Sequence, residues 1–257
     1  MKFICIAIQK GGSAKTTLAT TLATTLQERG KKVLLVDTDQ QCNATDIYAA
    51  QTDGVYTIYD IVVEQDCNDI NQAIQHTELG DIIPSDRLMV NTETVLKGDA
   101  VNGNYRLKDA LENLQDYDYV IFDTNPALNS MLINCLVCSD TVLIPCTADR
   151  FGITALSQLN DTLMAVKKRL NPNLEVGGIV VSRVKKNTNL VKLRGETLKQ
   201  IAEALHTRVF ETMIRDSISV QNAQDHQSTV TEFDKRSIAA QDYEALCDEF
   251  LEVMEDK

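Results

Sequence analysis

Lys10-Gly11-Gly12-Ser13-Ala14-Lys15-Thr16-Thr17 stands directly after the apolar run Phe3-Ile4-Cys5-Ile6-Ala7-Ile8 and directly before Leu18-Ala19-Thr20-Thr21-Leu22-Ala23. The run ahead is short and continuous and reads as a buried strand, while the stretch behind starts a helix. The two glycines let the backbone curl so that several N–H groups face one point. The N-terminus of the helix adds its partial positive charge, and together they make an anion site suited to phosphate. In such a site Lys15 reaches the β- and γ-phosphates of a nucleotide, the Thr16 hydroxyl ligates Mg2+, and Thr17 sits near the α-phosphate.

Outward from this loop the pattern repeats. Short apolar runs at 3–8, 32–36, 80–83, 119–122, 141–145 and 175–181 predict strands, several of them apolar on both faces as in parallel sheets covered by helices. Helical stretches lie between them, for example 16–29, 106–114, 155–170 and 190–205. Strand then helix, repeated, predicts right-handed crossovers and an α/β fold, a doubly wound, mostly parallel sheet flanked by helices. No repeat, low-complexity tract or linker divides the chain, so a single P-loop domain over 1–257 is expected. Residues 53–104 are polar and weakly patterned and read as a surface excursion.

The 257-residue chain is 44% hydrophobic and 24% charged, ordinary for a globular protein. No window approaches ~18 consecutive apolar residues, so no transmembrane helix is expected, and the N-terminal run is too short for a signal peptide. Seven scattered cysteines argue against a disulfide framework and for reduced thiols in a cytosol. A net charge of −12 means that any DNA contact has to come from a local patch. One candidate exists. Between residues 183 and 215 eight basic residues, among them Arg183, Lys185, Lys186, Lys192, Arg194 and Arg215, oppose three acidic ones. That local excess of five leaves −17 on the remainder, which should repel DNA everywhere except this face.

Lys10-Gly11-Gly12 followed by Lys15-Thr16-Thr17 resembles the deviant Walker A loop, Lys-Gly-Gly-x-Gly-Lys-Ser/Thr-Thr, of the ParA/MinD superfamily. Leu34-Leu35-Val36-Asp37-Thr38-Asp39-Gln40-Gln41-Cys42-Asn43-Ala44-Thr45 resembles that family's second motif, and Tyr117-Asp118-Tyr119-Val120-Ile121-Phe122-Asp123-Thr124-Asn125-Pro126 its Walker B strand. Segments 145–159 and 209–240 follow the family's order, so the resemblance covers nearly the whole chain. It implies ATP and Mg2+ as ligands and slow hydrolysis of ATP, stimulated by a partner. It also implies that Lys10 reaches phosphates held by the other subunit of an ATP-bound homodimer, a role that leaves it no job within one subunit. Lys15 would hold phosphates and Asp39 would position or activate the attacking water. Thr16 and Asp123 would hold the metal, with Asp37 supporting its shell.

Three residues depart from the family pattern. Ala14 replaces the glycine before Lys15, and its methyl group disfavours a backbone with φ > 0. Gln40 and Asn125 each replace a proline, which alters turn stiffness and leaves charge unchanged. The pair Cys135 and Cys138 would suit an iron–sulfur relative, but it lies in an apolar helical run where cysteine packs as a small hydrophobe. His76, His206 and His226 have no metal-ligand spacing.

The expected branch is the ParA-type partition ATPases. These dimerise on ATP, bind DNA without sequence preference, and act with a ParB-like centromere-binding partner to segregate plasmid or chromosomal DNA. The expected location is the cytoplasm, on the nucleoid when ATP is bound. The alternative is a relative that positions a non-DNA cargo. A MinD-type membrane cycle is disfavoured, because residues 242–257 hold seven acidic residues and one basic where those proteins end in a basic amphipathic helix. With the first strand at Phe3, no operator-reading arm is expected ahead of it. The family's DNA-contacting arginines lie in the 183–215 region, and one usual position holds Asn187.

Overall fold

Along β1 (Lys2–Ile6) the side chains of Ile4 and Ile6 enter one core and that of Cys5 the other, the period-two alternation of a strand covered on both faces. The same division runs through β2 (Val33–Asp37), where Leu35 joins Ile4 while Leu34 and Val36 join Cys5. It recurs in β5 (Tyr119–Asp123), where Ile121 opposes Val120 and Phe122. The computed structural model describes residues 1–114, 116–185 and 189–255, with the backbone alone for 189–194 and 255.

β3 (Gln75–Thr77), β4 (Gly80–Ile83), β6 (Thr141–Thr147) and β7 (Glu175–Ser182) complete a seven-stranded sheet in the order β3-β4-β2-β5-β1-β6-β7. Its pairings are parallel except that of β3 with β4. All six predicted strands are present. The seventh, β3, is three residues of an edge strand with no apolar alternation to announce it.

One face of the sheet carries α1 (Lys15–Glu28), α2 (Asn43–Ile47), α8 (Ile218–Asp225), α9 (Val230–Phe233) and α10 (Ile238–Glu255), through residues such as Leu22, Ile47, Ala223, Val230 and Leu246. The other carries α3 (Thr92–Gly98), α4 (Arg106–Leu111), α5 (Ser130–Cys138), α6 (Arg150–Arg169) and α7 (Asn189–Ala204), through Leu96, Leu107, Cys135, Leu156 and Leu198. Helix α6 starts at Arg150, ahead of the predicted 155, because the Asp149 carboxylate accepts the Gly152 N–H at 2.7 Å and caps the turn.

The expectation of a surface excursion over 53–104 is corrected. Ile58, Ile61, Val62, Val63, Ile70, Ala73, Met89 and Leu96 from this segment are buried in the second core. Ile61, Val62 and Val63 are buried in succession because Asp60–Glu64 is a π-helical turn, which neither helical nor strand periodicity detects. Arg106 fixes that turn by donating to the Val62 and Val63 carbonyls, both at 3.1 Å, while pairing with Asp99 at 3.0 Å. Beyond α7 the chain returns along β7, bridging Ile179 to Val209 and Val184 to Arg215, which brings residues 214–217 beside the glycine loop. Among the described residues no helix is long and apolar enough to cross a membrane.

Candidate functional site

The loop between β1 and α1 is held through its carbonyls, from within and from β7 and the residue after it. Ser13 Oγ and Lys15 Nζ donate to the Lys10 carbonyl at 3.0 and 3.3 Å, Ser182 Oγ donates to that of Ser13 at 3.1 Å, and Arg183 Nη1 to that of Gly12 at 3.1 Å. The first bond inside α1 runs from Leu18 N–H to the Ala14 carbonyl, so the amides of Lys15, Thr16 and Thr17 are the helix's uncapped donors. Gly12 (φ +69°) and Ala14 (φ +70°, ψ +27°) both adopt the left-handed conformation that produces this curl. The expected conflict at Ala14 is therefore present, and the alanine accepts it.

Parallel pairing sets Asp37 opposite Asp123 at the carboxyl ends of β2 and β5, with Lys15 beside them. Asp123 is wholly buried, and neither of its oxygens has a hydrogen-bond partner. Burial and then the charge of Asp37 push its pKa well up, while the Thr16 hydroxyl, which approaches without completing a hydrogen bond, and the Lys15 ammonium work the other way. Burial in turn lowers the Lys15 pKa, against the pull of Asp123 and Asp39. A buried carboxylate with both oxygens unsatisfied calls for a cation or a water that the cation holds. This donor set, a hydroxyl and a carboxylate next to a phosphate cradle, fits Mg2+.

Asp37 is bonded through both of its oxygens. Its Oδ2 accepts Thr45 N–H at 2.9 Å and Thr45 Oγ1 at 2.8 Å, and its Oδ1 accepts Asp39 N–H at 3.0 Å. Burial raises its pKa to about 6 against these bonds. Both oxygens thus anchor the turn that carries Asp39. Asp39 itself is almost buried and accepts Gln41 N–H at 3.1 Å and Asn125 Nδ2 at 3.3 Å. It lines a cavity of about 550 Å3 together with Lys15, Thr16, Asn125 and the loop from Gly11 to Thr17.

Lys10 is not idle within one chain. Its Nζ meets the two Asp149 oxygens at 2.8 and 3.0 Å and Thr147 Oγ1 at 2.6 Å, which corrects the premise that it has no partner in its own subunit. Burial would raise the Asp149 pKa, but Lys10, the Gly152 N–H and the Thr147 hydroxyl bring it down to about 2. Two arginines of the expected DNA patch are also redirected. Arg183 turns to the Gly12 carbonyl and lies 3.6 Å from Asp216. Arg215 is bound to Asp242 through Nε and Nη2, at 2.6 Å for the shortest contact. Lys185 is exposed; Lys186 and the side chains of Lys192 and Arg194 lie outside the described residues. Cys135 packs in the core with its Sγ 3.7 Å from Thr38 Oγ1, and burial pushes its thiol up to about 12.

Sequence reasoning missed Thr147, Asp149, Ser182, the contact of Asn125 with Asp39, and a smaller cavity of about 170 Å3. That cavity is lined by Gly12, Thr17, Arg183, Asp216, Gln221 and Tyr243, on the α8 side of the loop. Each depends on a contact between distant segments that no local pattern encodes.

A family profile described as "AAA domain" matches residues 1–176. The sporulation initiation inhibitor protein Soj of Bacillus subtilis is 35% identical over 245 residues, covering 94% of this chain and 95% of that protein. The chromosome partitioning protein ParA of Caulobacter vibrioides is 31% identical over 257 residues, covering 98% and 94%. Among solved structures, a putative plasmid partition protein of Borrelia burgdorferi bound to AMPPNP superposes with a TM-score of 0.76 at 31% identity, covering 99% of this chain and 98% of that one.

Proposed function

Because the chain belongs to the AAA-domain family and, within the ParA/MinD superfamily, to the ParA-like ATPases, we propose that it binds Mg·ATP and hydrolyses it to ADP and phosphate. The observation that carries this reading is that Lys15, Thr16 and Asp39 line one cavity around a curled amide loop, with the buried Asp123 carboxyl beside Lys15 and Thr16. The loop amides and Lys15 hold the β- and γ-phosphates, and the base reaches toward the smaller cavity by Tyr243. Thr16 and Asp123 hold Mg2+, which when bound neutralises charge on the β- and γ-oxygens. Asp39 orients a water for in-line attack on the γ-phosphorus and can take its proton as the bond to the β-bridging oxygen breaks. Mg2+-dependent phosphate release by the wild type, absent in Lys15→Ala, tests this reading.

Beyond hydrolysis, we propose an ATP-driven homodimer in which Lys10 leaves Asp149 for phosphates of the second subunit. This dimer binds DNA without sequence preference and, with a ParB-like partner, segregates plasmid or chromosomal DNA in the cytoplasm and on the nucleoid. With Arg183 and Arg215 engaged elsewhere, the proposed contacts centre on Lys185, Lys186, Lys192 and Arg194. Those two engagements are also what favours the second reading, a ParA-like ATPase that positions a non-DNA cargo. Retention of random-sequence DNA by the protein with Mg·ATP decides between the two.

A further inference from the structure

Two residues beyond the paired Asp37 and Asp123, past the ends of β2 and β5, the side chains of Asp39 and Asn125 meet. Asn125 Nδ2 donates to Asp39 Oδ1 at 3.3 Å, and the Gln41 N–H donates to that same oxygen at 3.1 Å. Among the described residues both hydrogen bonds to this carboxylate fall on Oδ1. Oδ2 is left as the oxygen able to hold a water or accept its proton. The Asn125 amide is not free to turn over, because its Oδ1 accepts the Ala127 N–H at 2.7 Å and so its NH2 end must face Asp39. Both side chains line the cavity that contains Lys15. At position 125 the ParA/MinD pattern has a proline, which offers no donor.

We propose that Asn125 is a positioning residue for hydrolysis: it clamps Oδ1 of Asp39 and thereby aims Oδ2 at the attacking water. The proposal rests on the ATP hydrolase reading above. A purely local role also exists, since an asparagine accepting the N–H two residues on forms an Asx turn. That role explains the bond from Ala127 and leaves the bond to Asp39 without a purpose.

Substitution separates the two. Asn125→Asp keeps the turn acceptor for Ala127 and removes the donor to Asp39, whereas Asn125→Ala removes both. Single-turnover hydrolysis is measured for the wild type and both variants, with ATP affinity by calorimetry. Positioning gives both variants rates about ten- to a hundred-fold lower, the scale on which small misplacements of a reacting group act, and Asn125→Ala keeps wild-type ATP affinity. A wild-type rate in Asn125→Asp shows that only the turn matters and overturns the proposal. So does a fall in ATP affinity of Asn125→Ala that accounts for its loss of rate. Absence of hydrolysis in the wild type itself refutes the hydrolase reading, and is seen before either variant is compared.

Discussion

Lys10 and Asp149 form an ion pair within one chain, with Asp149 also capping α6 through the Gly152 N–H and Thr147 completing the ammonium's partners. A lysine that is to reach phosphates on a second subunit has to leave this pair first. Asp149→Asn removes the charge and keeps a residue that caps helices well. The variant is expected to form its Mg·ATP-dependent dimer at lower protein concentration than wild type. A partly exposed pair is worth at most about 1 kcal/mol and the homodimer breaks two of them, so the shift is up to about thirty-fold. Light scattering across a concentration series measures it, and an unchanged or higher midpoint contradicts the competition.

The same pair sets a pH dependence. The folded pKa of Asp149, about 2, lies below that of a free aspartate, so its stabilising effect is complete above about pH 4 and is lost as pH falls toward 2. Urea midpoints of wild type and Asp149→Asn should differ at pH 6 and converge by about pH 2. A difference that persists there assigns it to something other than the carboxylate charge.

Ala14 sits at φ +70° at the start of α1. The left-handed conformation costs a non-glycine residue about 1–2 kcal/mol, whereas glycine costs about 0.4–1 kcal/mol through unfolded-chain entropy. The first effect wins, so Ala14→Gly should stabilise by about 0.5–1 kcal/mol and raise the melting temperature by about 1–4 °C. Calorimetry without nucleotide checks the sign, and a lower melting temperature contradicts it.

Asp37 and Asp123 pair in register yet should respond oppositely to mutation. Asp37→Ala leaves the Thr45 and Asp39 amides without their acceptor and should cost about 2–4 kcal/mol. Asp123→Asn replaces a buried carboxyl group that no donor satisfies, so the nucleotide-free protein should be as stable as wild type or more so, while Mg2+-dependent hydrolysis is lost. Denaturant melts of the two variants decide. Equal destabilisation by both contradicts the division of roles.

If residues 185–194 bind DNA phosphates, affinity for random-sequence DNA falls by roughly 0.9 log unit per log unit of salt for each phosphate neutralised. Lys185→Glu with Lys192→Glu should weaken binding to all sequences alike and flatten that slope, whereas Arg215→Ala, which loses a partner of Asp242, should act mainly on stability. A sequence-selective loss of binding contradicts phosphate contact.

The phosphate loop was legible because its signal is local: an apolar strand, two glycines and a lysine before a helix, all within residues 3–23. Asp123 was legible as the end of an apolar strand. The work of Asp37 was hidden, since its partners, Thr45 and the Asp39 amide, become visible only when the turn after β2 is folded. Lys10 meets Asp149 across 139 residues and Asn125 meets Asp39 across 86, distances that only sheet order and register close. The 53–104 segment misled because a π-helical turn and short packed pieces share no common period.

Titration of ATP, with Mg2+ present, into wild type and Lys15→Ala by calorimetry reaches the central claim most directly. Lys15 is the buried cation beside Asp123 and Asp39 in the loop cavity. The expected result is saturable binding by the wild type at one site per chain, dependent on Mg2+, and no measurable binding by Lys15→Ala. Equal affinity in the two proteins contradicts the assignment of this loop as the nucleotide site.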